Sequence, residues 1–185
     1  SVWATNQSSK ILSKINIVTG ARVDYSSEFG ATGAIFDNVT NSVWVTNIYP
    51  KIVNKVDIFT GTKIDYLVEA YSWGIAFDNV TNSVWVTNQD TKSVRKVNIF
   101  TGAWIDYPVG ILPWGVAFDN VTNSVWVANT LSYTISKVDI VTGARVDYAV
   151  GLNPYYIAFD NITNSVWVSN AGSNTVSKVD IFTGT

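Results

Sequence analysis

The sequence contains no histidine, no cysteine and no methionine. Without cysteine or histidine there is no disulfide framework, no thiolate nucleophile, no Cys/His zinc site and no histidine general base. Charge is sparse as well. Lys and Arg number 12 and Asp and Glu 14, so 14% of the 185 residues are charged, against about a quarter in an ordinary soluble domain. A net charge of −2 with scattered basic residues argues against a nucleic-acid groove. No apolar run reaches the ~18 residues that span a bilayer, so membrane insertion is not expected. What the chain does have is 47% apolar residues, with aromatics alone making up 14% of the chain, which excludes a disordered polymer. The chain begins Ser1-Val2-Trp3, without an initiator Met or an apolar leader. The expectation is that a signal peptide has been removed or that the sequence starts inside a longer protein.

A repeat dominates what is present. Ser-Val-Trp recurs with its Trp at Trp3, Trp44, Trp85, Trp126 and Trp167, always 41 residues apart. The same step relates Gly20, Gly61, Gly102, Gly143 and Gly184, the Asp-Tyr pairs from Asp24, and the Phe-Asp pairs from Phe36. Within one unit, Trp73 to Asp78, Ser83 to Thr87, Val94 to Phe100 and Ala103 to Val109 alternate β-branched or aromatic residues with period two. Asp78-Asn79-Val80-Thr81-Asn82 and Thr101-Gly102 supply turn chemistry between them. No stretch sustains a 3.6-residue period. Four short antiparallel strands in about 40–45 residues predict an all-β fold, a β-propeller with one blade per unit. Apolar side chains on both strand faces then follow, because each blade lies between two others. The repeated Trp is read as an inter-blade packing residue.

The runs Gly-Ile-Ala-Phe-Asp-Asn, Ser-Val-Trp-Val-Thr-Asn and Lys-Val-Asp-Ile-Phe-Thr-Gly resemble the YVTN repeat of bacterial and archaeal surface proteins, related to the NHL type. The signature lies at Val43-Trp44-Val45-Thr46-Asn47 and Val84-Trp85-Val86-Thr87-Asn88, and departs at Ala128-Asn129 and Ser169-Asn170. The resemblance implies a strand order A, B, C, D in each blade, with boundaries near 31, 72, 113 and 154. Residues 1–185 then hold B-C-D, three complete blades and A-B-C, a partial or open ring of about 4.5 repeats. The expectation is a part of a longer array, or an open assembly completed by further blades of the same chain or by a second copy. Unpaired strand edges and uncapped blades favour such completion. The family also implies a secreted or cell-surface, extracellular location. NHL-type lyases of streptogramin antibiotics use His, which this chain lacks.

Comparing the repeats with one another separates two faces. The A–B turn stays Asp-Asn-Val/Ile-Thr-Asn, and the C–D turn stays Thr-Gly. Variation collects in the B–C loops and the D–A links, which in an up-and-down blade emerge together. Loops on a rigid scaffold carry binding specificity. Trp73, Trp114 and Tyr155 share one repeat position, with Thr32 in the first unit and Tyr49, Tyr71, Tyr133 and Tyr156 nearby. These aromatics make the candidate surface for a protein or glycan partner. The alternatives are rings that plug the channel mouth, or loops that have drifted.

Asn6, Asn38, Asn79, Asn120 and Asn161 each begin an N-x-Ser/Thr sequence, a possible N-glycosylation acceptor. The competing reading is a tight turn in which Asp and Asn bond their own backbone. No spaced calcium loop is present, and neither metal nor cofactor is expected. Most acids repeat in register and so belong to the blade. Glu28, Glu69 and Asp90 are exceptions, although Glu28 and Glu69 are themselves 41 apart. Two rim carboxylates are one requirement of a glycosidase. The reading is nonetheless a non-catalytic structural or interaction module. A lectin-like propeller, or part of a hydrolase or lyase whose catalytic residues lie elsewhere, are the alternatives.

Overall fold

A computed structural model describes residues 1–49, 51–68 and 71–185. Among the described residues all regular structure is β-strand, eighteen strands in five antiparallel sheets. The first sheet holds β1 (Val2–Asn6), β2 (Ile11–Ile15) and β3 (Arg22–Ser26). The second holds β4 (Ala31–Asp37), β5 (Ser42–Asn47), β6 (Ile52–Asp57) and β7 (Lys63–Leu67). The third holds β8 (Ile75–Asp78), β9 (Ser83–Asn88), β10 (Ser93–Asn98) and β11 (Trp104–Pro108). The fourth holds β12 (Pro113–Asp119), β13 (Ser124–Asn129), β14 (Thr134–Asp139) and β15 (Arg145–Ala149). The fifth holds β16 (Pro154–Asp160), β17 (Ser165–Asn170) and β18 (Thr175–Asp180). Sequential strands pair in every sheet, so each unit is an up-and-down blade.

The third strand of the unit is shorter than its alternation suggests. It ends at Asn98 rather than Phe100. The Asn98 Oδ1 accepts the backbone N–H of Phe100 and of Thr101, both at 3.0 Å, and its carbonyl accepts Gly102 N–H at 2.9 Å. The apolar residues beyond Asn98 therefore lie in the turn. Ile99 turns inward and is buried, whereas Phe100 sits exposed at the tip.

The constant residues form the joint between blades. Trp44 packs with Val84, Val86, Val97 and Ile99 of the following blade. Trp126 packs in the same way with Val166, Val168, Val179 and Ile181. Trp44, Trp85 and Trp126 are fully buried. Each indole N–H donates back to the aspartate that opens its own A–B turn, Trp44 to Asp37 at 3.3 Å, Trp85 to Asp78 at 3.2 Å and Trp126 to Asp119 at 3.3 Å. The other oxygen of each aspartate accepts the N–H groups two and three residues on, as with Val80 at 2.9 Å and Thr81 at 2.9 Å. The turn and the tryptophan are thus one hydrogen-bonded unit.

Two further contacts cross the joint. Lys55, Lys96 and Lys137 lie over the tryptophan of their own blade and donate to the carbonyls of Ile99, Ile140 and Ile181 on the next, at 2.8, 2.7 and 2.7 Å. Burial lowers the pKa of all three lysines. Tyr66 stacks on Trp44 and Tyr107 packs at a tilt against Trp85, and the two tyrosines cover the turn glycines Gly102 and Gly143 of the next blade. Each of these glycines has φ +72° and its missing Cβ would fall on the tyrosine ring, so both the backbone angle and the space require glycine.

Candidate functional site

The two ends of the blades are stitched differently. At one end the D–A links bond to the B–C loops: Gly30 N–H to Gln7 O at 2.9 Å, Gln89 N–H to Tyr71 O at 3.1 Å, and Thr130 N–H to Leu112 O at 3.1 Å. At the other, the turn after strand C bonds to the A–B turn, as Ile99 N–H does to Asn82 O at 3.1 Å. The variable segments therefore share one face.

On that face the structure brings Trp73, Trp114 and Tyr155 together. Trp73 and Trp114 stack with centroids 4.2 Å apart, and Tyr155 meets Trp114 edge-on at 4.8 Å. All three are half-buried, and the rings spend part of their area on each other. Thr32, at the equivalent position, bonds to Ser72 O at 2.9 Å and to the Thr46 hydroxyl at 2.9 Å. Beside the rings lies a hollow of about 170 Å³ lined by the inner strands of four blades, including Gly33, Gly74, Gly115 and Tyr156.

Those glycines carry a steric requirement. A Cβ on Gly33 or Gly115 would stand 2.9 or 2.6 Å from the carbonyl oxygen of Trp73 or Tyr155 on the next blade. One on Gly74 would come closer still to the Trp114 carbonyl. Only a residue without a side chain admits that approach. In the fifth blade the same position is Tyr156, which is 70% exposed.

A second cluster lies farther out. Tyr49 meets Tyr71 edge-on at 5.9 Å, Lys51 Nζ sits 4.3 Å above the Tyr71 ring, and Lys51 pairs with Asp90 at 2.9 Å. The Asp90 hydrogen bond raises the Lys51 pKa. Tyr49 and Tyr133 are exposed. Tyr133 also has φ +56°, as Leu112 does, while Lys51 has φ +66°. On the constant face the left-handed positions are Asn41, Asn82, Asn123 and Asn164, with glycines in the C–D turns. Asn and Gly adopt this conformation readily, whereas a bulky residue there is strained.

The remaining predicted residues fall as follows. Asn6, Asn38, Asn79, Asn120 and Asn161 are all exposed. The sequon threonines Thr40, Thr81, Thr122 and Thr163 give their hydroxyls to Asp37, Asp78, Asp119 and Asp160. Glu28 forms an ion pair with Lys63, while Glu69 lies outside the described residues, as do Pro50 and Ala70. Among the described residues no group of three or more His, Cys, Asp or Glu side chains is placed to hold a metal ion.

One constellation escaped the sequence reading. Arg95 stands where the other blades have Ser13, Asn54, Ser136 and Ser177. Its buried guanidinium donates two parallel hydrogen bonds to Asp106, at 2.8 Å each, and lies 3.6 Å from the Trp104 centroid. The cue was available, since a charged residue breaks the repeat in the middle of strand C.

Five consecutive blades joined by one repeated interface define the class: this is a β-propeller segment. No family model and no curated protein matches the chain. Solved structures do. A catalytically inactive virginiamycin B lyase from Staphylococcus aureus with quinupristin is 14% identical, with a TM-score of 0.76, and the match covers 98% of this chain and 66% of the lyase. A streptogramin B lyase is 19% identical at TM-score 0.76 over 98% of this chain and 65% of that one. A chain of a nidogen/laminin complex is 11% identical at TM-score 0.82 over 95% of this chain and 69% of its own length. The chain thus spans about two thirds of the propellers it resembles, and at these identities the likeness speaks for the fold.

Proposed function

We propose that this propeller is a YVTN-type, non-catalytic interaction module of a secreted or cell-surface protein, and that its variable face grips a protein partner. The observation that carries this reading is the contrast in backbone strain between the faces. Left-handed positions on the constant face are all Asn and Gly, whereas on the variable face Gly30, Asn153 and Asn174 are joined by Lys10, Lys51, Lys92, Leu112 and Tyr133. Strain kept in otherwise regular repeats points to a role for the side chains it displays. Tyr156 is exposed beside a hollow of about 170 Å³ that it helps to line, and Tyr49 and Tyr133 are exposed elsewhere on the same face. The hollow is smaller than the ~300 Å³ at which ligand cavities begin. It suits one inserted side chain or one sugar ring, so a lectin-like reading follows as the second. The propeller of the nidogen/laminin complex supports protein partnership as a use of this fold.

The non-catalytic reading rests on how the acids are used. The A–B aspartates close their turns, Glu28 pairs with Lys63, and Asp90 pairs with Lys51. In a glycosylating compartment, glycans on Asn38, Asn79, Asn120 and Asn161 would cover the constant face and leave the variable one free. Their threonine hydroxyls are bonded in the folded turn, so attachment belongs to the unfolded chain.

Parallel screens on a displayed peptide library and a glycan array test the reading. Binding to peptides that drops at least tenfold on Tyr49→Ala or Tyr156→Ala supports it. Binding confined to glycans moves the assignment to the lectin-like alternative. Absence of binding on both, or binding indifferent to both substitutions, overturns it.

A further inference from the structure

The constant face is apolar at its tips. Phe59, Phe100 and Val141 occupy one repeat position at the crest of the C–D turn, and Val39, Val80 and Val121 occupy one position in the A–B turn. All six belong to the three blades that have a neighbour on either side. All are nevertheless exposed, Phe59, Phe100 and Val141 by 61–78% and the valines of the A–B turn by 45–52%. The two turns of each blade are tied together alike, with the N–H groups of Ile58, Ile99 and Ile140 donating to the carbonyls of Asn41, Asn82 and Asn123 at 3.1 Å. Equivalent tips therefore stand at equivalent heights, and the turns of successive blades present one level row of apolar side chains. Such a surface marks an interaction site.

From this arrangement we infer that the constant face docks on a lipid bilayer, with the turn tips immersed at the boundary between headgroups and acyl chains. The tips suit a medium poor in water. Residues 58–62, 99–103 and 140–144 contain no charged side chain, and neither do residues 38–41, 79–82 and 120–123. The N–H of each tip residue is already bonded within its own turn, Phe59 to Asp57 at 2.9 Å, Phe100 to Asn98 at 3.0 Å, Val141 to Asp139 at 3.0 Å and Val80 to Asp78 at 2.9 Å. Immersion then strands no donor at the tip, which is the usual cost of taking backbone out of water. The tips also protrude singly. A rigid protein partner would need pits repeating at the blade spacing, whereas a bilayer deforms around each ring and requires only that the tips be level.

The residues just behind the tips fit the headgroup level. Arg22, Lys63, Trp104 and Arg145 share one repeat position, and each opens strand D of its blade. Arg, Lys and Trp are the side chains that anchor proteins at this depth. Trp104 is 54% exposed there. Arg22 pairs with Asp24, Lys63 with Glu28 and Asp65, and Arg145 with Asp147. Each cation already has a carboxylate, so the attraction comes from the apolar tips and does not require anionic lipid. The contact is interfacial and requires no segment to cross the bilayer. The form that docks is the one without glycans on Asn79 and Asn120, which adjoin Val80 and Val121. Docking by this face leaves the variable face turned away from the lipid, and it does not rest on what that face binds.

Flotation of the unglycosylated 185-residue chain with phosphatidylcholine vesicles tests the inference. The parent is expected to float with the vesicles, with little dependence on salt. Partition should fall by about tenfold or more when Phe59→Ser and Phe100→Ser are combined, because two apolar rings are lost from the contact. Both positions are exposed, and far-UV circular dichroism reports whether the strands are retained. The chain has no cysteine, so Val80→Cys and Leu131→Cys each give a single site for an environment-sensitive fluorophore. On vesicles the emission should shift to the blue at position 80, on the constant face, and stay unchanged at position 131, on the variable one. A parent that remains with the aqueous fraction, partition indifferent to the paired serines, or a shift at position 131 without one at 80 would overturn the inference. So would a mass that doubles with concentration in sedimentation velocity and returns to the monomer with the paired serines, which would assign the face to a second copy. Tyr49→Ala leaves partition unchanged, which separates this inference from the proposed partner binding.

Discussion

The third and fifth blades carry nearly the same residues in different surroundings. Trp85 and Trp167 follow the same Ser-Val pair, lie under the equivalent lysines Lys96 and Lys178, and donate to equivalent aspartates, Asp78 at 3.2 Å and Asp160 at 3.5 Å. Yet Trp85 is sealed beneath Val125, Val127, Val138 and Ile140, while Trp167 is open. The difference teaches that the repeat encodes half of an interface. Burial of its largest side chain is supplied by the next repeat, as expected when each unit contacts only its neighbours.

The comparison breaks most sharply under truncation of the indole. Trp85→Ala is expected to cost about 3–5 kcal/mol, the range for removing a buried aromatic. Trp167→Ala in monomeric protein should cost less, about 1–2 kcal/mol, because a ring that is already 41% exposed has less burial to lose. Denaturant unfolding of both variants measures the gap, and equal losses would show that Trp85 does not draw its stability from the following blade.

Alanine at the inner-strand position is the next test. Gly115→Ala places a Cβ 2.6 Å from the Tyr155 carbonyl, a backbone atom that cannot swing away. The cost should be about 1–3 kcal/mol, typical of overpacking. Tyr156→Ala puts the same residue at the same repeat position without a following strand, and should stay within about 0.5 kcal/mol of the parent. Thermal midpoints at one protein concentration distinguish the two.

Smaller still is relief of strain on the variable face. Tyr133→Gly removes a side chain at φ +56°. It should stabilise by about 1 kcal/mol or less, since glycine accepts this angle but loses more entropy on folding. Asn123→Gly on the constant face, at φ +51°, should gain less, because Asn already tolerates the angle.

The turn aspartates give the gentlest effect, in acid. The Thr163 hydroxyl and the backbone N–H groups of Ile162 and Thr163 bring Asp160 down to about 2 from an ordinary 3.8. The Thr60 and Thr142 N–H groups likewise lower Asp57 and Asp139. A carboxyl lowered by folding contributes stability that is complete above its unfolded pKa and is lost as pH falls through the folded one. For Asp160 that window runs from 3.8 down to about 2. Carbon-detected NMR titration should place its midpoint below the ordinary value, and a midpoint at 3.8 would mean the turn bonds are not kept in solution.

Much of the fold was legible because the repeat states it several times over. Period-two alternation located the strands, and the recurrence of Trp at 41 residues implied one blade per unit. The strand end at Asn98 was less legible, since Ile99 and Phe100 continue the apolar pattern while the Asn98 side chain has already closed the turn. At the candidate site, repeat position alone related Trp73, Trp114 and Tyr155. Their stacking on one another was not foreseeable, because it depends on the rotation between blades. The tie between the turn aspartate and the tryptophan was hidden for a different reason. Asp78 and Trp85 lie on two strands, and only the register Ala76 to Trp85 brings them within reach.

By itself the sequence determined the β-propeller class, the 41-residue unit, and the division into one constant and one variable face. Those follow from local chemistry: alternation, turn residues, and repetition of both. The tertiary structure decided what each constant residue is for. Gly74 is needed because a neighbour's carbonyl occupies the place of its side chain, and Lys96 because a neighbour's carbonyl needs a donor. It also decided that identical tryptophans have unequal environments. Burial belongs to a pair of blades, and a single repeat read along the chain contains only one of them.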